Sequence, residues 1–233
     1  EITTRLVGSE MCIRDRLWLG QCIQAVLKNK GVPSAQRRQP GRGCARRIGV
    51  SKMTYSMTVA GLQRELPICK VADDLYIGAF ICFGDAELTV ACARDLLKLV
   101  ENEEYDYLFT AEAKSIPLIH EMARQSGAKK YFIARKGPKA YMPDPIHVED
   151  RSITTAGVQK LYLGRDDADM IRGKRIVLMD DVISTGGSLH AMEELVKLAG
   201  GIVVDRIAVL AEGDAQQRKD ICLLYTSPSP RDA

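Results

Sequence analysis

The stretch RIVLMDDVISTGGSLHAM, Arg175 to Met192, constrains the fold more than any other part of the sequence. Its apolar run, Ile176 to Met179, lacks the polar alternation of a half-exposed strand, which predicts a parallel strand buried on both faces. Asp180 and Asp181 follow at the carboxyl end of this strand, and a short loop then opens directly into a helix. These features predict an α/β sheet with a ligand site at the carboxyl ends of its strands.

Strand and helix signals alternate through residues 53–221, as such a sheet requires. The spacing predicts strands over Leu75–Phe83, Tyr107–Thr110, Tyr131–Ala134, Val158–Leu163, Ile176–Met179 and Ile202–Leu210. It predicts helices from Ala86, over Ile116–Gln125 with Ser115 as N-cap, and from Leu189 to Ala199. The predicted fold class is α/β, a single doubly wound domain with a mainly parallel sheet, whose C-terminal strand is truncated.

The two ends of the chain differ in character from the part between them. LVGSEMCIRD from Leu6 and CLLYTSPSPRD from Cys222 can be encoded by one inverted DNA repeat, and both resemble translated sequencing-adapter DNA. The Arg-rich stretch before Met53 has no apolar period, so we expect no packed structure there; a basic arm for nucleic acid is the alternative. We expect residues 1–52 to consist of adapter-derived sequence and a non-native leader. Residues 53–221 should form the domain, which starts at Met53 or Met57. Residues 222–233 should be an adapter-derived tail.

Charge and composition exclude several classes of protein. The chain carries a net +3, but residues 53–221 hold 21 Lys and Arg against 26 Asp and Glu, a net −5. We therefore expect no nucleic-acid partner for the domain. No run approaches the roughly 18 apolar residues of a membrane helix, so no membrane partner is expected either. Seven cysteines without a CxxC pair, beside three histidines, indicate neither a disulfide framework nor a zinc site. The three cysteines within residues 53–221, Cys69, Cys82 and Cys92, fit a cytoplasmic location.

The loop that follows Asp181 has the chemistry of a phosphate site. Its backbone N–H groups at a helix N-terminus, with the hydroxyls of Thr185 and Ser188, suit a phosphate group. The carboxylates of Asp180 and Asp181 suit the vicinal hydroxyls of a sugar or, through water, a divalent cation. Together these groups predict a phosphosugar ligand. A capped helix after a surface turn is the alternative, whereas a Walker-type loop would need Lys after its glycines.

The sequence IVLMDDVISTGGS resembles the phosphoribosyl pyrophosphate signature of type I phosphoribosyltransferases. This resemblance implies transfer of a ribosyl 5-phosphate from phosphoribosyl pyrophosphate to a nitrogen base, with release of diphosphate. It implies Mg²⁺ as the cofactor, held mainly through the substrate and not by direct protein ligands. The residues that it assigns to phosphoribosyl pyrophosphate here are Asp180, Asp181, Ser184, Thr185, Gly186, Gly187 and Ser188.

Two further stretches match the family in order. Glu112-Ala113-Lys114-Ser115 is similar to the Glu-Ala-Arg-Gly of adenine phosphoribosyltransferases, and a basic stretch follows the next strand. The resemblance places six residues at the diphosphate, namely Ala113, Lys114, Ser115, Arg135, Lys136 and Lys139. It implies catalytic roles for Lys114, Asp180 and Asp181, since the leaving diphosphate needs charge stabilisation. The polar loop over residues 137–157 is expected to close over the site as a lid.

The identity of the base rests on fewer residues. Phe83-Gly84-Asp85 weakly resembles the Phe-Arg-Asp of adenine enzymes, whose Phe stacks on the base, although a core Phe is the alternative. Ser184 stands where 6-oxopurine enzymes keep an Asp, and serine without a partner is a poor base. The resemblance thus favours conversion of adenine to AMP in purine salvage, by a homodimer. A xanthine or orotate enzyme, and a non-catalytic regulator that senses phosphoribosyl pyrophosphate, stay open; His147 and His190 are weaker catalytic candidates.

Overall fold

The computed structural model describes residues 10–12, 54–72, 75–150 and 159–226. The predictions for the leader between residues 13 and 53, for residues 151–158 and for residues 227–233 lie outside this part. The described strands are β1 (Glu10–Cys12), β2 (Thr54–Val59), β3 (Leu62–Ala72), β4 (Leu75–Ala79), β5 (Tyr107–Ala111), β6 (Phe132–Ala134), β7 (Ile146–Asp150), β8 (Gln159–Leu163), β9 (Arg175–Ile183), β10 (Ile202–Ala211) and β11 (Cys222–Thr226). The described helices are α1 (Ala86–Leu99), α2 (Ile116–Ser126), α3 (Arg165–Ile171) and α4 (Gly187–Leu198), with a 3₁₀ helix over Gly213–Gln217.

A five-stranded sheet in the order β11-β10-β9-β5-β6 forms the centre of the fold, and all its neighbouring strands are parallel. The predicted α/β fold class with a parallel sheet is therefore confirmed. Strand order reverses between β5 and β9, because β6 lies beyond β5 while β10 and β11 lie beyond β9. The carboxyl ends of β5 and β9 thus flank the topological switch point, where ligands bind in open α/β sheets.

Helices cover both faces of this sheet, and the side chains of β9 show why. Val177 and Met179 pack into one core with α1 and α2, whereas Ile176 and Leu178 pack into a second core with α3 and α4. All four side chains are fully buried. Successive side chains of β9 are thus buried on opposite faces of the sheet, which explains why the apolar run is continuous. Within the described ranges, no helix combines the length and the apolar character needed to cross a membrane.

A second, antiparallel sheet in the order β1-β4-β3-β2 precedes α1. The strand predicted to run from Leu75 to Phe83 ends at Ala79, because the chain turns there to bury Phe80 and Cys82 in the core with α1. An apolar run alone does not separate a strand from a buried connection. Arg64 of β3 joins this sheet to the start of α1 through the carboxylates of Asp85, at 2.7 Å, and Glu87, at 2.8 Å.

Strands β7 and β8 form an antiparallel ribbon outside the central sheet. The prediction of a strand over Val158–Leu163 is met by β8, but this strand pairs with β7 inside the predicted polar loop. Leu161 and Leu163 are buried, whereas Lys160 is exposed and Tyr162 is half-buried, which is the alternation of a half-exposed strand. A bridge between Arg135 and Tyr162 attaches the ribbon to the end of β6.

The described residues of the two ends lie at sheet edges. Strand β11 pairs in parallel with β10, and β1 pairs antiparallel with β4. The Tyr225 hydroxyl of β11 accepts a hydrogen bond from the Ala60 backbone N–H at 2.6 Å. The unpaired backbone groups of an open sheet edge can bond to any following segment of high β-propensity, and CLLYT is such a segment. The domain boundaries at residues 53 and 221 stay a prediction.

Candidate functional site

Asp180 and Asp181, the acid pair, lie near the carboxyl end of β9 at the switch point. Asp181 is 2% exposed, and Asp180 is half-buried. Strand β9 continues to Ile183, so the loop before α4 is shorter than the sequence predicts and spans residues 184–186. We call it the β9–α4 loop. The buried strand thus fixes the position of both carboxylates.

Ser115 connects the acid pair to the loop after β5, residues 112–115, which we call the β5–α2 loop. The Ser115 hydroxyl donates to Asp180 Oδ1 at 2.7 Å and accepts the Asp181 backbone N–H at 3.1 Å; it lies 3.3 Å from Asp181 Oδ1. The Ser115 side chain is 1% exposed. Ser115 is the N-cap of α2 as predicted, but its hydroxyl makes no capping bond because the acid pair engages it. Its side chain therefore acts within the site and not in the helix.

A second hydrogen bond crosses the switch point just before the acid pair. The buried Thr110 hydroxyl at the end of β5 donates to the Met179 carbonyl of β9 at 2.7 Å. Paired residues link β5 to β9 only as far as Phe109 and Leu178. The hydroxyls of Thr110 and Ser115 therefore connect the two strands beyond the point where their backbone pairing ends.

Burial is the main influence on the ionisation of the acid pair. It raises the pKa of Asp180, an effect that the Ser115 hydrogen bond opposes. It raises the pKa of Asp181 well above its usual range, and the negative charge of Asp180 raises it further. The positive charge of Lys114 acts in the opposite direction on the pKa of Asp181. A group that donates hydrogen bonds or brings positive charge to the pair relieves this repulsion.

The β9–α4 loop presents a helix N-terminus beside the acid pair. Gly186 has φ +79°, in the left-handed region that favours glycine, and as N-cap of α4 it offers no side chain to the first-turn N–H groups. The first turn of α4 holds no acidic residue. Thr185 is exposed, and Ser184, Gly187 and Ser188 are half-buried. These N–H groups and hydroxyls have the chemistry to bind an anion.

Glu112 joins the β5–α2 loop to the basic segment Arg135–Lys139, a role that the sequence analysis does not assign. Its carboxylate accepts the Lys136 backbone N–H at 2.6 Å and pairs with Arg135 at 3.0 Å and Lys139 at 3.7 Å. The Glu112 N–H donates to the Ala134 carbonyl at 2.9 Å. The peptide bond between Glu112 and Ala113 is cis. The structure therefore brings the predicted cations Arg135 and Lys139 against the loop that carries Lys114, while Lys136 contributes its backbone.

Phe83 lies outside the core and is 58% exposed, which removes the alternative of a core Phe. Its neighbour Cys82 is buried, and the pKa of the Cys82 thiol is raised first by burial and then by the charge of Asp181. The charge of Asp181 thus acts on the residue that precedes Phe83. An exposed aromatic ring in this position is able to stack on a planar ligand.

The two histidine candidates have other surroundings. The His147 ring on β7 stacks on Tyr162, with 5.2 Å between ring centroids, and His190 is exposed on α4.

Across the residues that the structure describes, no three His, Cys, Asp or Glu side chains form a metal cage. The acid pair nevertheless offers the oxygen donors that Mg²⁺ prefers. These donors fit a cation that a bound ligand would also coordinate.

Comparisons with known proteins agree with this geometry. Residues 86–229 match the family model of the phosphoribosyl transferase domain. The chain is 30% identical over 125 residues to a hypoxanthine/guanine phosphoribosyltransferase of Methanotorris igneus, covering 54% of this chain and 64% of the relative. It is 32% identical over 127 residues to an adenine phosphoribosyltransferase of Corynebacterium jeikeium, covering 54% and 59%. The match thus spans less than two thirds of each of these two relatives.

Solved structures show a similar fold. The crystal structure of an adenine phosphoribosyltransferase from Thermoanaerobacter pseudethanolicus aligns with a TM-score of 0.54 and 26% identity. The alignment covers 61% of this chain and 83% of that protein. The central parallel sheet with its flanking helices is therefore shared.

Proposed function

The chain belongs to the phosphoribosyl transferase domain family, and from this premise we propose that it is a purine phosphoribosyltransferase. It would transfer the ribosyl 5-phosphate of phosphoribosyl pyrophosphate to a purine nitrogen and release diphosphate. The observation that carries this proposal is the bonding of Ser115 to both Asp180 and Asp181. These bonds hold the acid pair against the β5–α2 loop, and the β9–α4 loop follows the acid pair along the chain.

Each part of the substrate has a matching group in this site. The N–H groups at the start of α4, with the hydroxyls of Thr185 and Ser188, would bind the 5′-phosphate. Asp180 and Asp181 would accept hydrogen bonds from the two ribose hydroxyls, which relieves the repulsion between their carboxylates. In this proposal the β9–α4 loop would bind the phosphate, the acid pair the sugar and the β5–α2 loop the leaving group.

Stabilisation of the leaving diphosphate is the catalytic task. Breaking the bond from C1′ to diphosphate oxygen leaves positive charge on the ribose and negative charge on the leaving group. Lys114, Arg135 and Lys139 would stabilise that negative charge as it develops. Bound Mg²⁺, held mainly through the substrate, would supply further positive charge to the diphosphate, and the acid pair would contact it through water. The β7–β8 ribbon would act as the lid that excludes water from the reacting ribose.

We propose adenine as the base. Ser184 lacks the carboxylate that the family's 6-oxopurine enzymes use at this position, and the exposed Phe83 ring supports stacking on a purine. The relatives bear both adenine and hypoxanthine/guanine names, so the base has to be tested directly. A homodimer in the cytoplasm belongs to the same proposal and rests on the family resemblance; light scattering on the purified chain tests the dimer.

The activity is tested with the full chain, phosphoribosyl pyrophosphate and Mg²⁺, offering adenine, hypoxanthine, guanine, xanthine and orotate in separate reactions. We expect AMP from adenine at the highest kcat/KM. Faster turnover of another base would reassign the substrate. Absence of nucleotide product with every base would contradict the enzyme proposal and favour the regulator that only senses phosphoribosyl pyrophosphate.

A further inference from the structure

We propose that Arg218 is a further substrate-binding residue, a cation that the chain after β10 supplies to the 5′-phosphate at the start of α4. This inference rests on the proposed function, since it extends the same site. Gly186 is the first observation that supports it. A Cβ atom on Gly186 would lie 2.7 Å from Arg218 Nη1, so the guanidinium group lies directly on the β9–α4 loop. Gly186 is accordingly buried, whereas Thr185 beside it is exposed.

The path of the backbone places Arg218 there. The Glu212 N–H donates to the carbonyl of Ile183, the last residue of β9, at 2.8 Å. The 3₁₀ helix Gly213–Gln217 then leads to Arg218, whose N–H donates to the Ala215 carbonyl at 3.2 Å. The segment that carries Arg218 is thus anchored to the strand that positions the acid pair.

The electrostatics at this end of α4 favour a bound anion. A helix N-terminus carries partial positive charge, and a guanidinium placed on it is repelled unless negative charge lies between them. The first turn of α4 provides no acidic side chain. The carboxylate of Asp220 pairs with Arg218 at 2.6 Å and 3.0 Å and offsets part of this repulsion. A phosphate on the loop would accept hydrogen bonds from both the backbone and the guanidinium.

The opposite end of α4 offers a matched comparison. Gly200 follows α4 with φ +83°, and a Cβ there would lie 3.3 Å from Arg172 Cγ and 3.6 Å from Arg172 Nη1. At a helix C-terminus the partial charge is negative, so Arg172 is favourably placed without a ligand. The two arginines therefore make similar contacts with a left-handed glycine, but only Arg218 opposes the helix dipole. This difference separates a binding role for Arg218 from a packing role.

Calorimetric titration of Arg218→Gln, with Arg172→Gln as the matched control, tests the inference. The probes are phosphoribosyl pyrophosphate, ribose 5-phosphate and inorganic diphosphate, with Mg²⁺ in every titration. We expect Arg218→Gln to weaken binding of the first two about 10- to 100-fold, as for a lost charge-assisted hydrogen bond, and to change diphosphate affinity less than about twofold. Arg172→Gln should change none of the three affinities. Unchanged ribose 5-phosphate affinity in Arg218→Gln, or an equal loss for diphosphate, would overturn the inference.

Asp220→Asn keeps the inference testable if Arg218→Gln fails to fold. This change releases Arg218 from its ion pair, so affinity for ribose 5-phosphate should rise, and an unchanged affinity would show that Arg218 does not bind the phosphate. A loss of affinity in Asp220→Asn would show that the ion pair acts structurally and would overturn the binding role. If the unmodified chain binds neither phosphoribosyl pyrophosphate nor ribose 5-phosphate, the proposed function fails together with the inference. If the unmodified chain binds both while the variants behave against expectation, only the inference fails.

Discussion

The Ser115 hydroxyl lies 2.7 Å from Asp180 Oδ1, although the two residues are 65 positions apart in the sequence. This bond joins the end of one strand at the switch point to the end of its neighbour. It makes Ser115 a positioning residue, because a displacement of the β5–α2 loop must also displace a carboxylate of the acid pair. On the proposed function, one buried hydroxyl would therefore couple sugar binding to diphosphate binding.

Replacing Ser115 with Ala should raise the KM for phosphoribosyl pyrophosphate about tenfold, the effect of losing one buried hydrogen-bond partner. The KM for the base should change little, because the base lies beyond the sugar. Ser126→Ala is the control, since its hydroxyl donates to the Ala123 carbonyl of the same helix. Steady-state kinetics with each substrate varied separately measures the effect. Equal KM values for phosphoribosyl pyrophosphate in the two variants would show that Ser115 has no positioning role.

Replacing Asp181 with Asn should separate binding from stability. The neutral amide removes the repulsion from Asp180, so we expect unchanged or higher thermal stability with at least a tenfold loss of affinity for phosphoribosyl pyrophosphate. Asp106→Asn is the contrasting control at the other end of the sheet. The Asp106 carboxylate accepts the Arg175 N–H at 2.8 Å, and this bond lowers its pKa. Asp106→Asn should lower stability and leave affinity intact; loss of stability without loss of affinity in Asp181→Asn would contradict the account.

The stability of the ligand-free protein should depend on pH through Asp181. Because the pKa of Asp181 is raised in the folded state, its contribution to the free energy of unfolding is fully present below the ordinary value of 3.8. This contribution is lost as pH rises through the raised pKa. The contribution is isolated by subtracting the melting temperatures of Asp181→Asn from those of the unmodified chain between about pH 4.5 and pH 8. We expect this difference to become more favourable to the unmodified chain as pH falls. A flat difference would show that Asp181 ionises with its ordinary pKa.

The subtraction matters because other carboxylates have the opposite dependence. Hydrogen bonds from Arg94, Arg124 and Arg218 lower the pKa values of Asp95, Glu121 and Asp220 to about 2. Their stabilisation is present above their ordinary pKa values and is lost as pH falls toward 2. The unmodified chain and Asp181→Asn share these groups, so subtracting one melting temperature from the other cancels the effect of these groups on stability.

Replacing Ser184 with Asp should move the base preference. A carboxylate at this position restores the proton acceptor or donor that the resemblance associates with 6-oxopurines. We expect kcat/KM for hypoxanthine to rise relative to that for adenine by about tenfold or more, within the range of a positioned acid or base. Competition between the two bases, with AMP and IMP separated by chromatography, measures the ratio. An unchanged ratio would assign base selection to another part of the site.

The sequence predicts best those features that a local pattern determines. The buried run before Asp180 predicts β9, and the glycines after Ser184 predict the loop that opens α4. The antiparallel pairing of β8 was not predicted, because the choice of partner depends on where the chain returns in space. The contacts of Glu112 with Arg135 and Lys139, and of Arg218 with Gly186, are not predicted for a similar reason, since each side chain contacts a segment far away in sequence. The position of Glu112 in the Glu-Ala-Lys-Ser match is the signal by which it could have been found.

A crystal structure of the full chain with phosphoribosyl pyrophosphate and Mg²⁺ is the most direct test of the proposed substrate site. We expect the 5′-phosphate on the N–H groups at the start of α4, with the ribose hydroxyls on Asp180 and Asp181. We expect the diphosphate beside Lys114 and the basic segment Arg135–Lys139. A ligand whose phosphate lies away from the β9–α4 loop, or whose hydroxyls do not contact the acid pair, would contradict the claim.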